Sequence, residues 1–190
     1  MCREGQAKVL SDEELNRVSI IAASGRQGKR DVLLLDFSFK LGLRVKEMAA
    51  LSIEDIIDGN GKIRDSFYLK ADQAKGHKGR TVYLTNKQLK KNLQAYLEER
   101  KDDRNRHLFK SQKTAFTPNS LQQVFKRLYK KAGVKGAKSH SGRRTFATNL
   151  IEKGFDIKSV SILMGHSNIQ TTARYISENP VKLGEMVAGL

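Results

Sequence analysis

Residues 53–85, IEDIIDGNGKIRDSFYLKADQAKGHKGRTVYLT, break the rhythm of the chain around them. Ile53–Ile57, Lys62–Lys70 and Arg80–Thr85 are short runs rich in Ile, Phe, Tyr, Val and Thr, the composition of strands. Asp58-Gly59-Asn60-Gly61 separates the first two, and Asn and Gly accept the positive φ that a tight hairpin turn demands. Ala74-Lys75-Gly76-His77-Lys78-Gly79 separates the second from the third. The stretch therefore predicts a small three-stranded antiparallel sheet whose second turn is rich in lysine.

Working outward, the period becomes helical on both sides. Ser11-Asp12-Glu13-Glu14 has the form of a capping box, in which the Ser hydroxyl and the Glu carboxylate each accept a backbone amide of the other's residue. It predicts a helix to about Ala23, with Gly25–Gly28 as its exit. Asp31–Leu41 contains VLLLDFSF and predicts a buried helix ending at Gly42, followed by a short helix over Arg44–Leu51. Beyond the sheet, helices are predicted over Asn86–Lys101, Asn119–Ala132 and Ser141–Lys153, the last two stopped by Gly133 and Gly154. Ile157–Met164 and Ile169–Ile176 are shorter and flank Gly165-His166-Ser167. Tyr68, Tyr83, Tyr96 and Tyr129 fall on strand or helix core patterns and are read as packing, with His77 and His107 facing solvent. The fold class is mainly α with a small three-stranded antiparallel β-sheet, an α+β chain without internal repeats.

Charge narrows the function. Lys and Arg number 36 against 20 acidic residues, a net charge of +16 spread along the whole chain. An excess of that size marks a polyanion-binding protein, with nucleic acid the first candidate. The single cysteine, Cys2, excludes an internal disulfide and a cysteine-based metal cluster. No apolar run approaches the ~18 residues of a membrane span. The start, MCREGQAKVL, lacks the apolar core of a signal peptide. A reducing interior, cytoplasm or nucleoid, is the expectation, without membrane, metal or other cofactor.

Acting on a phosphodiester requires cations on the non-bridging oxygens, a nucleophile, and an acid for the leaving alkoxide. Arginine suits the first task because its planar fork meets two phosphate oxygens at once. His140 and Arg143 stand three apart at the start of a predicted helix, and so on one face. His166 sits in a Gly-His-Ser turn, with Tyr175 nine residues on. Each feature alone is weak.

Together, and in this order, they carry a resemblance. Gly42-Leu43-Arg44-Val45-Lys46-Glu47-Met48-Ala49-Ala50-Leu51 resembles the first arginine box of the tyrosine recombinases, the phage-integrase family. Lys75-Gly76-His77-Lys78-Gly79-Arg80 looks like that family's lysine hairpin, and Ser139-His140-Ser141-Gly142-Arg143-Arg144-Thr145 is similar to its His-x-x-Arg box. Leu163-Met164-Gly165-His166-Ser167 through Ala173-Arg174-Tyr175 matches the closing box and its nucleophile.

The resemblance implies the fold of the family's catalytic domain and a site of Arg44, Lys75, His140, Arg143, His166 and Tyr175, supported by Glu47 and Arg144. Tyr175 would attack the scissile phosphorus and form a 3′-phosphotyrosyl link, with Arg44 and Arg143 holding the phosphate. His140 would assist proton transfer at the nucleophile, Lys75 would protonate the departing 5′ oxygen, and His166 would donate a hydrogen bond to a phosphate oxygen. Glu47 is expected to be structural, paired with an arginine. Lys78 and Arg80 are expected on DNA, and Asn119, Gln122, Gln123 and Lys126 in a groove.

Many members of the resembled family carry histidine where this chain has Arg144. Residues 1–10 read as a tail or linker remnant, 11–177 as the catalytic domain and 178–190 as a C-terminal tail helix. The family commonly places a helical DNA-clamping domain ahead of the catalytic one, so the chain reads either as a fragment or as a compact member. The tail either packs on its own domain or, as the family implies, docks into a neighbouring protomer. The expected partner is double-stranded DNA, with a tetramer on DNA and a monomer alone. Alternative activities are a type IB topoisomerase and a DNA-binding module of the same fold without catalysis.

Overall fold

A computed structural model describes residues 6–70, 79–101, 106–112, 114–173 and 175. Along the chain these form α1 (Asp12–Ala23), α2 (Gly28–Lys40), α3 (Val45–Ala50), α4 (Ile53–Ile56), β1 (Ser66–Leu69), β2 (Arg80–Tyr83), α5 (Lys87–Glu98), α6 (Pro118–Lys131), α7 (Ser141–Glu152), α8 (Ile157–Met164) and α9 (Gln170–Ala173). Among the described residues no helix is long and apolar enough to cross a membrane.

The second helix is the hub. It touches α1, α5 and α7, and a helix with neighbours on several sides must be apolar on several faces. Leu33, Leu34, Leu35, Phe37 and Phe39 are all buried accordingly. Phe37 meets Phe109 edge to face at 5.2 Å, and Tyr96 stacks on Phe109 at 6.1 Å. Ser11 caps α1 as its sequence predicts, accepting from the Glu14 amide while Glu14 accepts from the Ser11 amide. Gly28 does more than mark the exit of α1. It is the first residue of α2, and a Cβ there would lie 2.3 Å from the Ala23 carbonyl oxygen.

Among the described residues the sheet has two strands rather than the three expected. β1 and β2 pair antiparallel, with Ser66 opposite Tyr83 and Leu69 opposite Arg80. The first strand was expected over Ile53–Ile57, but Ile53–Ile56 is one turn of helix. Ser52 accepts from the Asp55 amide at 3.2 Å and Asp55 accepts from the Ser52 amide at 2.8 Å, a local capping box that outcompetes a short β-prone run. What survives of that expected first strand is a lone bridge between Ile57 and Ile63. The turn between them follows its sequence: Asp58 Oδ1 accepts from the Asn60 and Lys62 amides, and Gly61 takes φ +77°.

Strand period also corrects two tyrosines. Phe67, Leu69 and Val82 point into the core, so Tyr68 and Tyr83 point outward and are 60% and 54% exposed. Tyr96 and Tyr129 are buried, as expected. α6 is capped by Thr117 with Pro118 in its first turn; it buries Leu121, Val124, Phe125, Leu128 and Tyr129. That leaves Asn119, Gln122, Gln123 and Lys126 exposed on the outer face. A second, smaller apolar cluster of Ala147, Val160 and Met164 lies between α7 and α8, with Tyr175 packed against it.

Candidate active site

Two tight turns and one close helix–helix approach deliver the side chains to one place. Leu41 ends α2, and Gly42 follows at φ +64°, turning the chain into Arg44 and α3. A Cβ at Gly42 would lie 2.6 Å from the Phe146 ring, so glycine is needed for space as well as conformation. Gly142 lets α7 lie directly on α2, since a Cβ there would be 2.2 Å from Ser38 Oγ. Gly165 ends α8 in the left-handed conformation and turns the chain into His166.

Arg143, in the first turn of α7, is 3% exposed. Its Nη1 donates to the Gly42 carbonyl at 2.6 Å and its Nη2 donates to the Met164 carbonyl, so both turns grip one guanidinium. The same Nη2 stands 3.1 Å from His166 Nε2. On the other side of that ring, Nδ1 is 2.7 Å from Thr172 Oγ1. Tyr175 follows α9, its amide donating to the Thr172 carbonyl, and its ring lies 6.0 Å from that of His166, tilted by 27°. His140 is the exposed N-cap residue of α7, with Nδ1 3.4 Å from Ser139 Oγ.

Glu47 is fully buried behind this layer. Oε1 accepts from Arg44 Nη1 and from Arg80 Nη1, each at 2.7 Å. Oε2 accepts from the Arg44 amide at 2.8 Å and from Arg80 Nη2 at 2.9 Å. Burial by itself raises a carboxyl pKa; the bonds from Arg80 and the charges of Arg80, Arg143 and Arg44 outweigh it and hold Glu47 at about 2. Burial and the neighbouring Arg44 and Arg80 push Arg143 down to about 9, which leaves it a cation at neutral pH. Burial, then the charges of Arg143, Arg44 and Arg80, push His166 down to about 4.

Arginine can only donate, so His166 Nε2 accepts from Arg143 and the ring proton sits on Nδ1, facing Thr172. The neutral ring agrees with its lowered pKa. In this arrangement the donor role expected of His166 toward phosphate is not set up; it needs a second ring proton on Nε2.

An open cleft of about 300 Å³ brings Arg44, His140, Arg143, His166 and Tyr175 onto common walls, with Arg144 at the edge. Arg144 donates to the Ala7 carbonyl at 2.7 Å, which ties the segment ahead of α1 to the rim. Arg80 is a correction. It was expected on DNA, yet its side chain is 5% exposed and is spent on Glu47. Asn119, Gln122, Gln123 and Lys126 stand on α6, outside the cleft lining. Lys75, His77, Lys78 and the 178–190 tail lie outside the described residues. Thr172, fully buried, was missed: a threonine with no apolar or charged signature gives no warning that it fixes a histidine tautomer. The Gly42 and Met164 carbonyls were equally invisible, being backbone.

The cleft is walled by three arginines, two histidines and a tyrosine, and its helical frame with a small β-ribbon is the fold of tyrosine recombinase catalytic domains. The chain belongs to the phage integrase family, whose model matches residues 8–181. It is 32% identical over 184 residues to tyrosine recombinase XerA of Pyrococcus furiosus, an alignment covering 95% of this chain and 60% of that protein. The crystal structure of XerA recombinase superposes with a TM-score of 0.79 at 28% identity, covering 98% of this chain and 66% of the other. XerH site-specific recombinase, in its post-cleavage complex with palindromic difH substrate, gives a TM-score of 0.75 at 26% identity over 95% of this chain and 52% of XerH. The chain spans about 60% of the length of the curated relatives it matches.

Proposed function

We propose that this chain carries the catalytic domain, residues 11–177, of a site-specific DNA recombinase that cuts and rejoins duplex DNA through a 3′-phosphotyrosyl intermediate. The observation that carries the reading is the meeting of Tyr175 with Arg44, Arg143 and His166 on the walls of one cleft.

In this reading a scissile phosphate enters the cleft with its non-bridging oxygens on Arg44 and Arg143. Arg143 offers a fixed fork, because its carbonyl partners hold it before substrate arrives, and preorganised donors need no rearrangement as charge develops. The Tyr175 oxygen attacks phosphorus and the bond to the 5′ oxygen breaks. A tyrosine hydroxyl is mostly protonated at neutral pH, so attack requires its proton to leave, and exposed His140 at the same cleft is the acceptor. The 5′ oxygen departs with a proton from Lys75. The phosphotyrosyl bond conserves the energy of the broken diester, so a 5′ hydroxyl from a partner duplex reverses the step without ATP. The phosphate's negative charge favours a second proton on His166, which then donates from Nε2.

The net charge of +16 suits a double-stranded DNA partner. The exposed α6 row of Asn119, Gln122, Gln123 and Lys126 is proposed for groove contacts, with Lys78 on the DNA backbone. A tetramer on DNA, joined by tails exchanged between protomers, completes the proposal, as does a cytoplasmic location on the nucleoid. The test is strand cleavage on nicked duplexes drawn from DNA flanking the gene. An SDS-resistant protein–DNA adduct with a free 5′ hydroxyl is expected. Tight duplex binding without any adduct would contradict the reading and leave a DNA-binding module.

A further inference from the structure

Arg80 opens β2, yet it contacts the arginine box rather than solvent. Its guanidinium makes two parallel bonds to Glu47, at 2.7 and 2.9 Å. The far side is closed by the turn that carries His166, because a Cβ on Gly165 would lie 2.7 Å from Arg80 Cδ. Glu47 is thus shared: Arg44 uses the same Oε1, at 2.7 Å, and lies at the cleft.

Charge counting gives the buried arginine a task. Glu47 carries one negative charge and touches two cations. With Arg80 in place, Arg80 and Glu47 neutralise one another, and Arg44 keeps a full positive charge for the cleft. Without Arg80, the same carboxylate is neutralised by Arg44 alone. A phosphate then competes with a buried carboxylate for one guanidinium, where little water screens either. The carboxylate also positions Arg44, through its amide and its Nη1, so removing the carboxylate outright is no remedy while Arg80 remains charged.

We propose that Arg80 is a positioning residue that occupies Glu47 and so keeps Arg44 available to phosphate. The proposal rests on the cleft being a phosphate site, and its test separates the two. Arg80→Met removes the charge and keeps the length. Adduct formation on nicked duplex should fall roughly a hundredfold, the scale for a lost oxyanion donor, with duplex affinity unchanged. Rescue discriminates positioning from packing. Arg80→Met combined with Glu47→Gln removes the competing carboxylate, and the rate should recover roughly tenfold over Arg80→Met alone. A folded double variant no faster than the single one overturns the proposal. Arg80→Lys keeps the charge on one bond and should fall between parent and Arg80→Met; it serves as the comparison if Arg80→Met does not fold.

Inorganic phosphate, titrated against the His166 ring signals by NMR, reads the same coupling without cleavage. Arg80→Met should bind it roughly tenfold more weakly, and the double variant should regain affinity. Equal phosphate affinity in parent and Arg80→Met overturns the positioning role whatever the adduct does. A parent that shows the phosphate dependence and forms no adduct upholds the role of Arg80 and sinks the recombinase reading instead.

Discussion

Arg143 Nη2 and His166 Nε2 face one another at 3.1 Å, so the arginine donates, the histidine accepts, and the ring is neutral with its proton on Nδ1, donated to Thr172 Oγ1. The pair is therefore a sensor of charge in the cleft. With the cleft empty, His166 titrates near 4, held down by burial and by three arginines. A phosphate dianion adds opposite charge and should raise that value. NMR titration of the ring with and without phosphate checks this; an unchanged midpoint contradicts it.

The same shift has a consequence for stability. His166 binds its proton more weakly in the folded chain than in the unfolded one, where the ordinary value is 6.5. Its contribution is fully present above 6.5 and is lost as pH falls through about 4. The ring is half-exposed, so about 1 kcal/mol is expected after screening. Unfolding of a His166→Gln variant should lose less stability than the parent across that window.

Glu47 acts at lower pH. Its folded value of about 2 lies below the ordinary 4.5, so its contribution is present above 4.5 and is lost as pH falls through 2. The shift corresponds to roughly 3 kcal/mol. Glu47→Gln should remove that acid slope and should also destabilise the chain at neutral pH, because it leaves Arg80 as a buried cation with a weaker partner. Urea unfolding at a series of pH values measures both.

Thr172 orients His166 through one hydroxyl. Thr172→Val keeps the shape and removes the acceptor, and should lower adduct formation about tenfold with little loss of thermal stability, the usual scale for groups behind a site. Thr172→Ser should restore it. A Thr172→Val variant that cleaves at the parent rate would remove the hydroxyl from the account.

In the proposed mechanism Arg44 and Arg143 bear the phosphate. Replacing either by Ala should depress cleavage by about 10²–10³-fold. Arg143→Ala should also destabilise the domain, because its guanidinium ties the Gly42 and Met164 carbonyls together. Cleavage rates and melting temperatures of the two variants separate these effects.

Much of this was legible in the chain itself. Ser11 announces its helix through local capping chemistry, and Gly42, Gly133 and Gly154 announce ends through positive φ. Such signals survive folding because they involve residues three or four apart. The Ile53–Ile57 run begins as helix rather than strand because its cap, Ser52 with Asp55, is just as local as its β-propensity. Arg80 was illegible for a separate reason. Its partner is 33 positions away, and nothing in the basic stretch Lys75–Arg80 says which cation turns inward. Site residues arrived as four separated boxes whose order carried the resemblance; their convergence on one cleft depends on close approaches, such as Gly142 on Ser38, that only the folded chain reveals.

The most direct measurement is the identity of the residue that becomes attached to DNA. The protein would be trapped on a nicked duplex, the adduct trimmed with nuclease and protease, and the modified peptide sequenced by mass spectrometry. The account predicts a nucleotide remnant on Tyr175 and no adduct from Tyr175→Phe, with duplex affinity retained. A remnant on any other residue, or an adduct that persists in Tyr175→Phe, would contradict it.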